Sequence, residues 1–349
     1  MKSKRKLFGC VTTIQYPTYD MKVLNDKLQI FGGTLVVVGD VKGPEEYTLP
    51  GCKFLHISDQ QNEVNGHFES LLPKSHYARK NVAYLYAIEN GATCIYETDD
   101  DNCPNDTWKP REIFVKKSRA PVFKYSAWVN VYDYFTSKSK HIWPRGFPLD
   151  EVNRAPQYSI CRILNDVYSP IQQSLVDGSP DVDAIYRLTK DCFEEELIFE
   201  KDTSSLTLGE DQWSPFNTQS TWWFKEAFPL LYIPSYCSFR MCDIWKSFIA
   251  QKCLWAMGHR VTFHTPEVFQ KRNEHNLMDD FKDEICGYLR NKEMIEILNK
   301  MHLTGCPKVD IIVCYDVLTK AGFFDEKETK LVRAWVAALE SIEINQGSL

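Results

Sequence analysis

The alternation of apolar and polar stretches in the N-terminal part of the chain predicts strands and helices in succession. Short apolar runs between polar segments predict strands at residues 7–14, 34–39, 53–57 and 92–96. Apolar side chains at helical spacing predict helices at 20–31 and 77–91. The run at 34–39 is apolar throughout, which is typical of a parallel strand covered on both faces. This β-α-β-β-α-β order predicts a nucleotide-binding α/β half.

The later part of the chain has a looser pattern and then becomes helical. A β-prone run, an amphipathic helix and a last strand are predicted in that order, at 233–239, 239–257 and 261–263. Charged helices are predicted to follow, at 279–302, at 309–321 and after Asp325. Asp325 is placed to cap the last helix, and Glu328 completes a capping box.

These elements predict an α/β fold in which helices flank a mixed sheet and a helical subdomain follows. We expect residues 1–275 to form the main domain. It divides into a nucleotide-binding half at 1–105 and an acceptor or catalytic half at 106–275. Residues 276–349 form the helical subdomain, to which we assign no chemistry of its own.

Composition excludes several classes of protein. The net charge of −6 argues against nucleic-acid binding as the main function. No apolar run approaches the roughly 20 residues that span a bilayer, and no signal-peptide core follows the basic start. We therefore expect a cytoplasmic protein without a transmembrane segment, with a Golgi-type anchor outside this stretch as the alternative. The 12 cysteines form no C-x-x-C pair, which argues against zinc and for reduced thiols.

An acid cluster, Asp99-Asp100-Asp101, directly follows the fourth predicted strand. Like charges at the end of a buried strand repel one another, and a hard divalent cation among the oxygens removes that cost. The carboxyl end of a strand is also where α/β sheets bind ligands. A metal there can hold a diphosphate and stabilise it as a leaving group. Asp99 and Asp101 are therefore candidate ligands for Mn²⁺ or Mg²⁺, with a plain acidic turn as the alternative interpretation.

Two other stretches have a composition suited to binding a nucleotide sugar. Arg79 and Lys80 begin the helix before the acid cluster, where cations oppose the helix dipole unless they face an anion such as diphosphate. Solvated surface cations are the alternative for this pair. The stretch 211–223 mixes amides, hydroxyls and indoles, as sugar-binding sites do, and ordinary packing of its two tryptophans is the alternative.

Seven motifs follow one another in order over most of the chain. They are Arg79-Lys80-Asn81 with Asn90-Gly91-Ala92, Asp99-Asp100-Asp101, Trp143-Pro144-Arg145-Gly146, Ile171-Gln172-Gln173 with Pro180-Asp181-Val182-Asp183, Pro215-Phe216-Asn217-Thr218-Gln219, Phe239-Arg240 with Asp243-Ile244-Trp245, and Gln270-Lys271-Arg272-Asn273-Glu274-His275. Together they resemble the STELLO glycosyltransferase family, and the acid cluster resembles the Asp-x-Asp motif of GT-A glycosyltransferases. The resemblance implies a GT-A-like fold and a nucleotide-sugar donor.

From this resemblance we expect a metal-dependent glycosyltransferase that moves a sugar from a UDP- or GDP-sugar to a glycan or glycoprotein acceptor. Asp99 and Asp101 would hold Mn²⁺ or Mg²⁺, with His275 as a further ligand. The expected donor-binding residues lie at strand ends or beside the acid cluster, and they are Thr12, Asp40, Asp59, Arg79, Lys80, Asp99 and Asp100. The expected acceptor-binding residues are Asp181, Asp183, Asn217, Gln219 and Trp222.

Asp243 is the candidate catalytic base, because inverting members of this superfamily often place that carboxylate at the start of a helix in the second half. A simple helix N-cap is the alternative for Asp243. Asp181 and Asp183 are the reserve candidates for the base. Two other functions stay open: a nucleotide-sugar mutase, and a glycosyltransferase-like scaffold or binding protein without turnover.

Overall fold

The computed structural model describes residues 6–122, 127–136, 141–154, 161–190, 196–271 and 276–347. The strands are β1 (Leu7–Thr12), β2 (Thr34–Val38), β3 (Lys53–Leu55), β4 (Cys94–Thr98), β5 (Asn102–Pro104), β6 (Phe114–Pro121), β7 (Cys161–Tyr168), β8 (Ile171–Gly178), β9 (Leu206–Thr207), β10 (Ser220–Phe224) and β11 (Val261–Gln270). The helices are α1 (Tyr19–Ile30), α2 (Gln60–Glu63), α3 (Gly66–Leu71), α4 (Lys80–Glu89), α5 (Val131–Tyr134), α6 (Ala184–Thr189), α7 (Cys242–Ala256), α8 (Leu277–Asn299), α9 (Pro307–Lys320) and α10 (Lys327–Gly347). Short 3₁₀ helices cover Tyr77–Arg79, Lys225–Leu231 and Phe239–Met241.

The described strands form one mixed sheet in the order β3-β2-β1-β4-β10-β8-β11-β9-β6-β7, and β5 pairs with β11. The strands β3, β2, β1 and β4 are parallel, and β10 joins β4 antiparallel. β1 lies between β2 and β4, so the chain proceeds from β1 in opposite directions along the sheet. Open α/β sheets bind ligands beyond the carboxyl ends of the strands at such a switch point. This sheet and its flanking helices confirm the predicted fold class.

Side chains of β2 pack against helices on both faces of the sheet. Leu35 and Val37 belong to one hydrophobic cluster with Leu24 of α1. Val36 and Val38 belong to a second cluster, which also contains residues of α4. Because side chains two positions apart in a strand share a face, β2 is covered on both sides, as its unbroken apolar run predicts.

The predicted elements differ from the structure in several places. The prediction missed the helices α2, α3, α5 and α6 and the strands β5 to β10, and it ended the last strand too early, since β11 continues to Gln270. The prediction of a strand at 233–239 was wrong. There the N–H of Ile233 donates to Oδ1 of Asn81 at 2.9 Å, and its carbonyl accepts from Nδ2 of Asn81 at 2.8 Å. A side-chain amide thus supplies the backbone hydrogen bonds that a neighbouring strand would supply.

The helices α8, α9 and α10 pack on the main domain through a shared hydrophobic core. Trp335 of α10 is fully buried, with its ring centroid 5.6 Å from that of Phe68 and 5.9 Å from that of Tyr232. Its Nε1 donates to the carbonyl of Pro229 at 2.9 Å. Within the described ranges, every helix lacks the combination of length and hydrophobicity that crossing a membrane requires.

Glu328 connects α10 to the main domain instead of completing the predicted capping box. Asp325 caps α10 as predicted, but its N–H donates to the carbonyl of Tyr236 at 3.0 Å rather than to Glu328. The Glu328 carboxylate is buried and accepts from the Tyr232 hydroxyl and from the N–H groups of Ser235 and Tyr236. Burial raises the pKa of Glu328 to about 7.

A buried ion pair joins β4, the strand before the acid cluster, to α7. Nζ of Lys246 donates to Oε1 of Glu97 at 2.6 Å, and the two residues are 2% and 0% exposed. The carboxylate also accepts from Nε1 of Trp223 at 2.6 Å and from the Tyr84 hydroxyl. Burial lowers the pKa of Lys246, although the charge of Glu97 opposes that shift. The contacts fix the position of β4, and with it the position of the acid cluster.

We expect Lys246→Met to lower the free energy of unfolding by about 3–5 kcal/mol, because Glu97 would stay buried without its cation. Chemical denaturation followed by circular dichroism measures this loss. The matched control is Lys116→Met, which removes the cation of an exposed pair with Asp166 and should leave the unfolding midpoint unchanged. Equal midpoints for the two variants would contradict the role assigned to the buried pair.

Candidate functional site

A cleft of about 540 Å³ lies at the carboxyl ends of β1, β2 and β4. Residues at or beyond the ends of these strands form one part of its lining: Thr12, Thr13, Asp40, Asp99, Asp100 and Asp101. Residues from the second half of the domain form another part: Arg145, Asp181, Gln219, Arg240, Asp243 and Gln270. The cleft therefore joins the two halves at the switch point of the sheet.

Asp99 is paired with a cation that the protein itself supplies. Its Oδ1 accepts from Nζ of Lys80 at 2.7 Å and from the Tyr77 hydroxyl at 2.6 Å. Lys80 is fully buried, and its ammonium also donates to the Tyr77 oxygen at 2.6 Å. Burial and the charge of Asp99 raise the pKa of Tyr77 well above its ordinary value, so the phenol stays protonated and donates. The structure thus places Lys80 beneath Asp99 and not on the cleft lining, where the sequence analysis expected a phosphate ligand.

Asp100 and Asp101 are held by side chains from distant parts of the chain. Asp100 accepts from the hydroxyl of Thr13, so this contact ties the end of β1 to the end of β4. Oδ2 of Asp101 accepts from Nε2 of Gln270, the last residue of β11, at 2.9 Å. Burial, and after it the charge of Asp99, raises the pKa of Asp101 to about 7. Neighbouring negative charge disfavours ionisation there, and a bound divalent cation would reverse that effect.

The acid cluster offers a cation carboxylates but not a complete protein shell. Among the residues that the structure describes, no group of three or more His, Cys, Asp or Glu is arranged to hold a metal. His275, the expected further ligand, lies outside the described residues. Mg²⁺ is commonly held by one or two carboxylates, with substrate phosphates and water completing its shell. Asp99 and Asp101 therefore fit a cation that binds together with a diphosphate.

Arg79 lies in the interior and does not line the cleft. It is 1% exposed, its Nε donates to Oε1 of Gln60 at 2.9 Å, and its guanidinium pairs with Glu69. These contacts hold α2 and α3 against the beginning of α4. The structure thus corrects the expected phosphate contact, because the motif did not show which way the Arg79 side chain faces.

Thr12 and Asp40 reach the cleft, whereas Asp59 does not. Asp59 is exposed at the beginning of α2, away from the expected position beside a nucleotide. The buried Asp40 carboxylate accepts from the N–H groups of Ser75 and His76, both at 2.9 Å. These bonds hold Ser75 in the left-handed region, at a φ of 54°. Asp40 therefore shapes the loop that brings Tyr77 to the cleft, in addition to lining it.

Arg145 joins two carboxylates, Asp181 and Asp243, in the other part of the lining. Its Nε and Nη2 donate to Asp181 at 2.7 and 2.8 Å, and its Nη1 and Nη2 donate to Asp243 at 3.0 and 2.9 Å. Burial raises the pKa of Asp181, but the charge of Arg145 outweighs it and the net direction is downward. Burial also raises the pKa of Asp243; the charge of Arg145 opposes this and the charge of Asp181 adds to it, and the net direction is upward.

Asp243 is not the N-cap of its helix. Met241 stands at the N-cap of α7, and Asp243 lies in the first turn with its carboxylate on Arg145. Capping, the alternative considered for Asp243, therefore does not account for its position in the cleft. Sequence reasoning missed Arg145 itself, although the available signal was a charged residue inside the apolar turn Trp143-Pro144-Arg145-Gly146.

Asp181 and Gln219, two of the expected acceptor-binding residues, line the cleft. Asn217 lies behind them, 5% exposed, and its Nδ2 donates to Oδ2 of Asp181 at 3.1 Å. Gln270 and Phe239 are further cleft residues to which the sequence analysis assigned no role. Phe239 is 51% exposed in this polar cleft, and only its aromatic type next to the Arg240 motif could have suggested it.

Asp183 and Trp222 are buried structural residues and do not line the cleft. Asp183 caps α6 by accepting from the N–H of Tyr186 at 2.7 Å, and it accepts from Nε1 of Trp143 at 2.6 Å. Trp222 packs with its ring centroid 4.4 Å from that of Tyr96. The alternative of ordinary tryptophan packing thus describes Trp222, and these two residues are removed from the expected acceptor site.

Comparison with known proteins gives matches along nearly the whole chain. A family model described as STELLO glycosyltransferases matches residues 240–349. The chain is 28% identical over 359 aligned positions to the probable glycosyltransferase STELLO2 of Arabidopsis thaliana, and 25% identical over 360 positions to the probable glycosyltransferase STELLO1 of the same plant. Each alignment covers 97% of this chain but 45% of the relative, so the chain spans less than half the length of these proteins. The matches confirm the resemblance to the STELLO glycosyltransferase family that the sequence motifs indicated.

Proposed function

We propose that this protein is a metal-dependent glycosyltransferase that transfers a sugar from a nucleotide-sugar donor to a hydroxyl group of an acceptor. The observation that carries the proposal is the placement of the acid cluster and Asp243 in one cleft at the switch point of the sheet. The names of the STELLO relatives support the same reaction class.

On the donor side, Asp99 and Asp101 would hold Mn²⁺ or Mg²⁺ together with the donor diphosphate. The three carboxylates of the acid cluster and the ammonium of Lys80 carry a net charge that one divalent cation balances. When bound, the cation stabilises the diphosphate as a leaving group. Thr12 and Asp40 would lie beside the nucleoside, and Asp100 beside the ribose or the sugar.

Cations that line the cleft, rather than the expected Arg79 and Lys80, would contact the donor phosphates. Lys42 and Arg187 both line it. Lys42 is exposed, which leaves its ammonium able to move onto a bound phosphate. Arg187 donates from Nη2 to the carbonyl of Pro180 at 2.7 Å, which places the guanidinium near Asp181. Both are candidates for charge-assisted contacts to donor phosphates.

On the acceptor side, Asp243 would accept the proton of the attacking hydroxyl if the reaction inverts the anomeric centre. The two parallel bonds from Arg145 fix the plane of its carboxylate. The raised pKa of Asp243 favours proton uptake, because a stronger base draws the proton more effectively. Asp181 shares Arg145 with Asp243 and would help to keep the guanidinium in place.

A screen of nucleotide sugars by calorimetry, with and without Mn²⁺, tests the proposal. Metal-dependent binding followed by sugar transfer to an added acceptor supports a glycosyltransferase. Interconversion of two forms of the nucleotide sugar would instead identify a mutase. Binding without any turnover would identify a non-catalytic protein, and an absence of nucleotide-sugar binding would contradict the proposed donor site.

We expect Asp101→Asn to weaken Mn²⁺-dependent binding of UDP or GDP by at least about 10-fold, because a charge-assisted ligand is lost. The fold should persist, since removing one charge eases the repulsion within the acid cluster. Calorimetric titration of both diphosphates measures the loss. The control is Asp106→Asn, the same change at an exposed position outside the cleft, which should bind as the wild-type does. Equal affinities for the two variants would remove Asp101 from the metal site.

We expect Asp243→Asn to lower the transfer rate by about 10²–10⁴-fold at saturating Mn²⁺ and donor, far more than it changes donor affinity, because the basic carboxylate is lost. Single-turnover transfer and donor titration on the same preparation separate the two effects. A melting temperature close to that of the wild-type shows that the neutral side chain still accepts from Arg145. Near wild-type transfer by the variant would assign the base elsewhere or exclude the need for one.

A further inference from the structure

A row of side-chain amides, which we call the amide bridge, leads from Asp101 into the second half of the domain. It consists of Gln270, Gln219 and Asn217. Nε2 of Gln270 donates to Asp101 at 2.9 Å, and Oε1 of Gln270 accepts from Nε2 of Gln219 at 2.8 Å. Oε1 of Gln219 accepts in turn from Nδ2 of Asn217 at 3.4 Å. Each amide uses both its donor and its acceptor end, so the orientation of one amide sets that of the next.

The amide bridge ends at the carboxylates that surround Arg145. Nδ2 of Asn217 donates to Oδ2 of Asp181 at 3.1 Å, the same oxygen that accepts from Nη2 of Arg145. Nη2 of Arg145 also donates to Asp243 at 2.9 Å. An unbroken series of hydrogen bonds therefore connects Asp101, in the acid cluster, with Asp243.

Backbone contacts and burial hold the amide bridge in place. Oδ1 of Asn217 accepts from the N–H of Gln219 at 3.0 Å and from the side-chain amide of Gln173, which keeps Nδ2 directed towards Gln219 and Asp181. The carbonyl of Gln219 accepts from the Thr98 hydroxyl at 2.6 Å, at the end of β4. Asn217 and Gln219 are 5% and 8% exposed. Because a buried amide is costly to leave unpaired, turning one member forces the others to adjust.

We propose that the amide bridge is a positioning device that links the orientation of Asp101 to that of Asp243. The inference rests on the proposed function, in which these residues serve the donor and the acceptor. A cation that draws Asp101 into its shell changes the acceptor available to Gln270, and the adjustment passes through Gln219 and Asn217 to Asp181. Loading the donor end thereby shifts the carboxylate of Asp243 through Asp181 and Arg145.

The test is a double-mutant cycle read out by the affinity of the full chain for Mn²⁺ alone, measured by electron paramagnetic resonance. The variants are Asp243→Asn, Gln219→Met and their combination. Methionine keeps the length of glutamine but makes no hydrogen bond to Gln270 or Asn217. The general electrostatic effect of removing the Asp243 charge survives in the Gln219→Met background, whereas an effect carried by the amide bridge does not.

We expect Asp243→Asn to change the Mn²⁺ affinity of the wild-type by about fivefold or more, the lower end of usual coupling. The cycle should then depart from additivity by more than about twofold, the usual limit for independent sites. Additivity within that margin would overturn the inference. An absence of Mn²⁺ binding by the wild-type would overturn the metal site of the proposed function, and this inference with it.

The matched control replaces Gln219→Met by Gln172→Met. Gln172 is also buried, but its amide donates to the carbonyls of Glu112 and Ser169, outside the amide bridge. Its cycle with Asp243→Asn should be additive, and a non-additive result there would overturn the inference. If Gln219→Met fails to fold, Gln270→Met at a partly exposed position breaks the same series and keeps the test open.

Discussion

Repulsion among three adjacent carboxylates at the end of a buried strand is the constraint on which the rest of the site depends. Each carboxylate has a partner from a different part of the chain: Lys80 and Tyr77 for Asp99, Thr13 for Asp100, and Gln270 for Asp101. These contacts require β1, the beginning of α4 and the end of β11 to meet at one place. The contacts that reduce the repulsion among the three carboxylates therefore also hold the two halves of the domain around one cleft.

The nucleotide-binding half could be predicted well from the sequence because its signals are local. Unbroken apolar runs mark β1, β2 and β4, and the acids follow directly where β4 ends. The prediction of a strand at 233–239 was wrong, and the local sequence contains no signal that could have shown this. The backbone groups of Ile233 bond to the side chain of Asn81. The N–H groups of Ser235 and Tyr236 donate to Glu328, and both of these side-chain partners are distant in the sequence.

The direction of individual side chains could not be predicted. Arg79 and Lys80 are adjacent in the sequence, yet one is bonded to Gln60 and the other to Asp99. Only the packed structure shows that neither ends on the cleft lining. The motifs predicted better which residues lie near the site, since residues from most motifs meet in the amide bridge and around Arg145. The hydrogen-bond partners of these residues lie on separate strands, so predicting the individual contacts would have required the strand order and register.

The C-terminal helices share a hydrophobic core with the main domain, so the boundary of the family model does not coincide with a boundary in the structure. The family model begins at residue 240 and takes in α7 to α10, but it leaves out much of what these helices pack on. The Trp335 ring lies against Phe68 and Tyr232, and Glu328 accepts from the backbone at 235–236. Residues 240–349 are thus the stretch that the family model matches, but their hydrophobic core is completed by residues outside it. Expressed alone, that stretch would present its apolar core to water, and the main domain without it would lose the cover of the same surface.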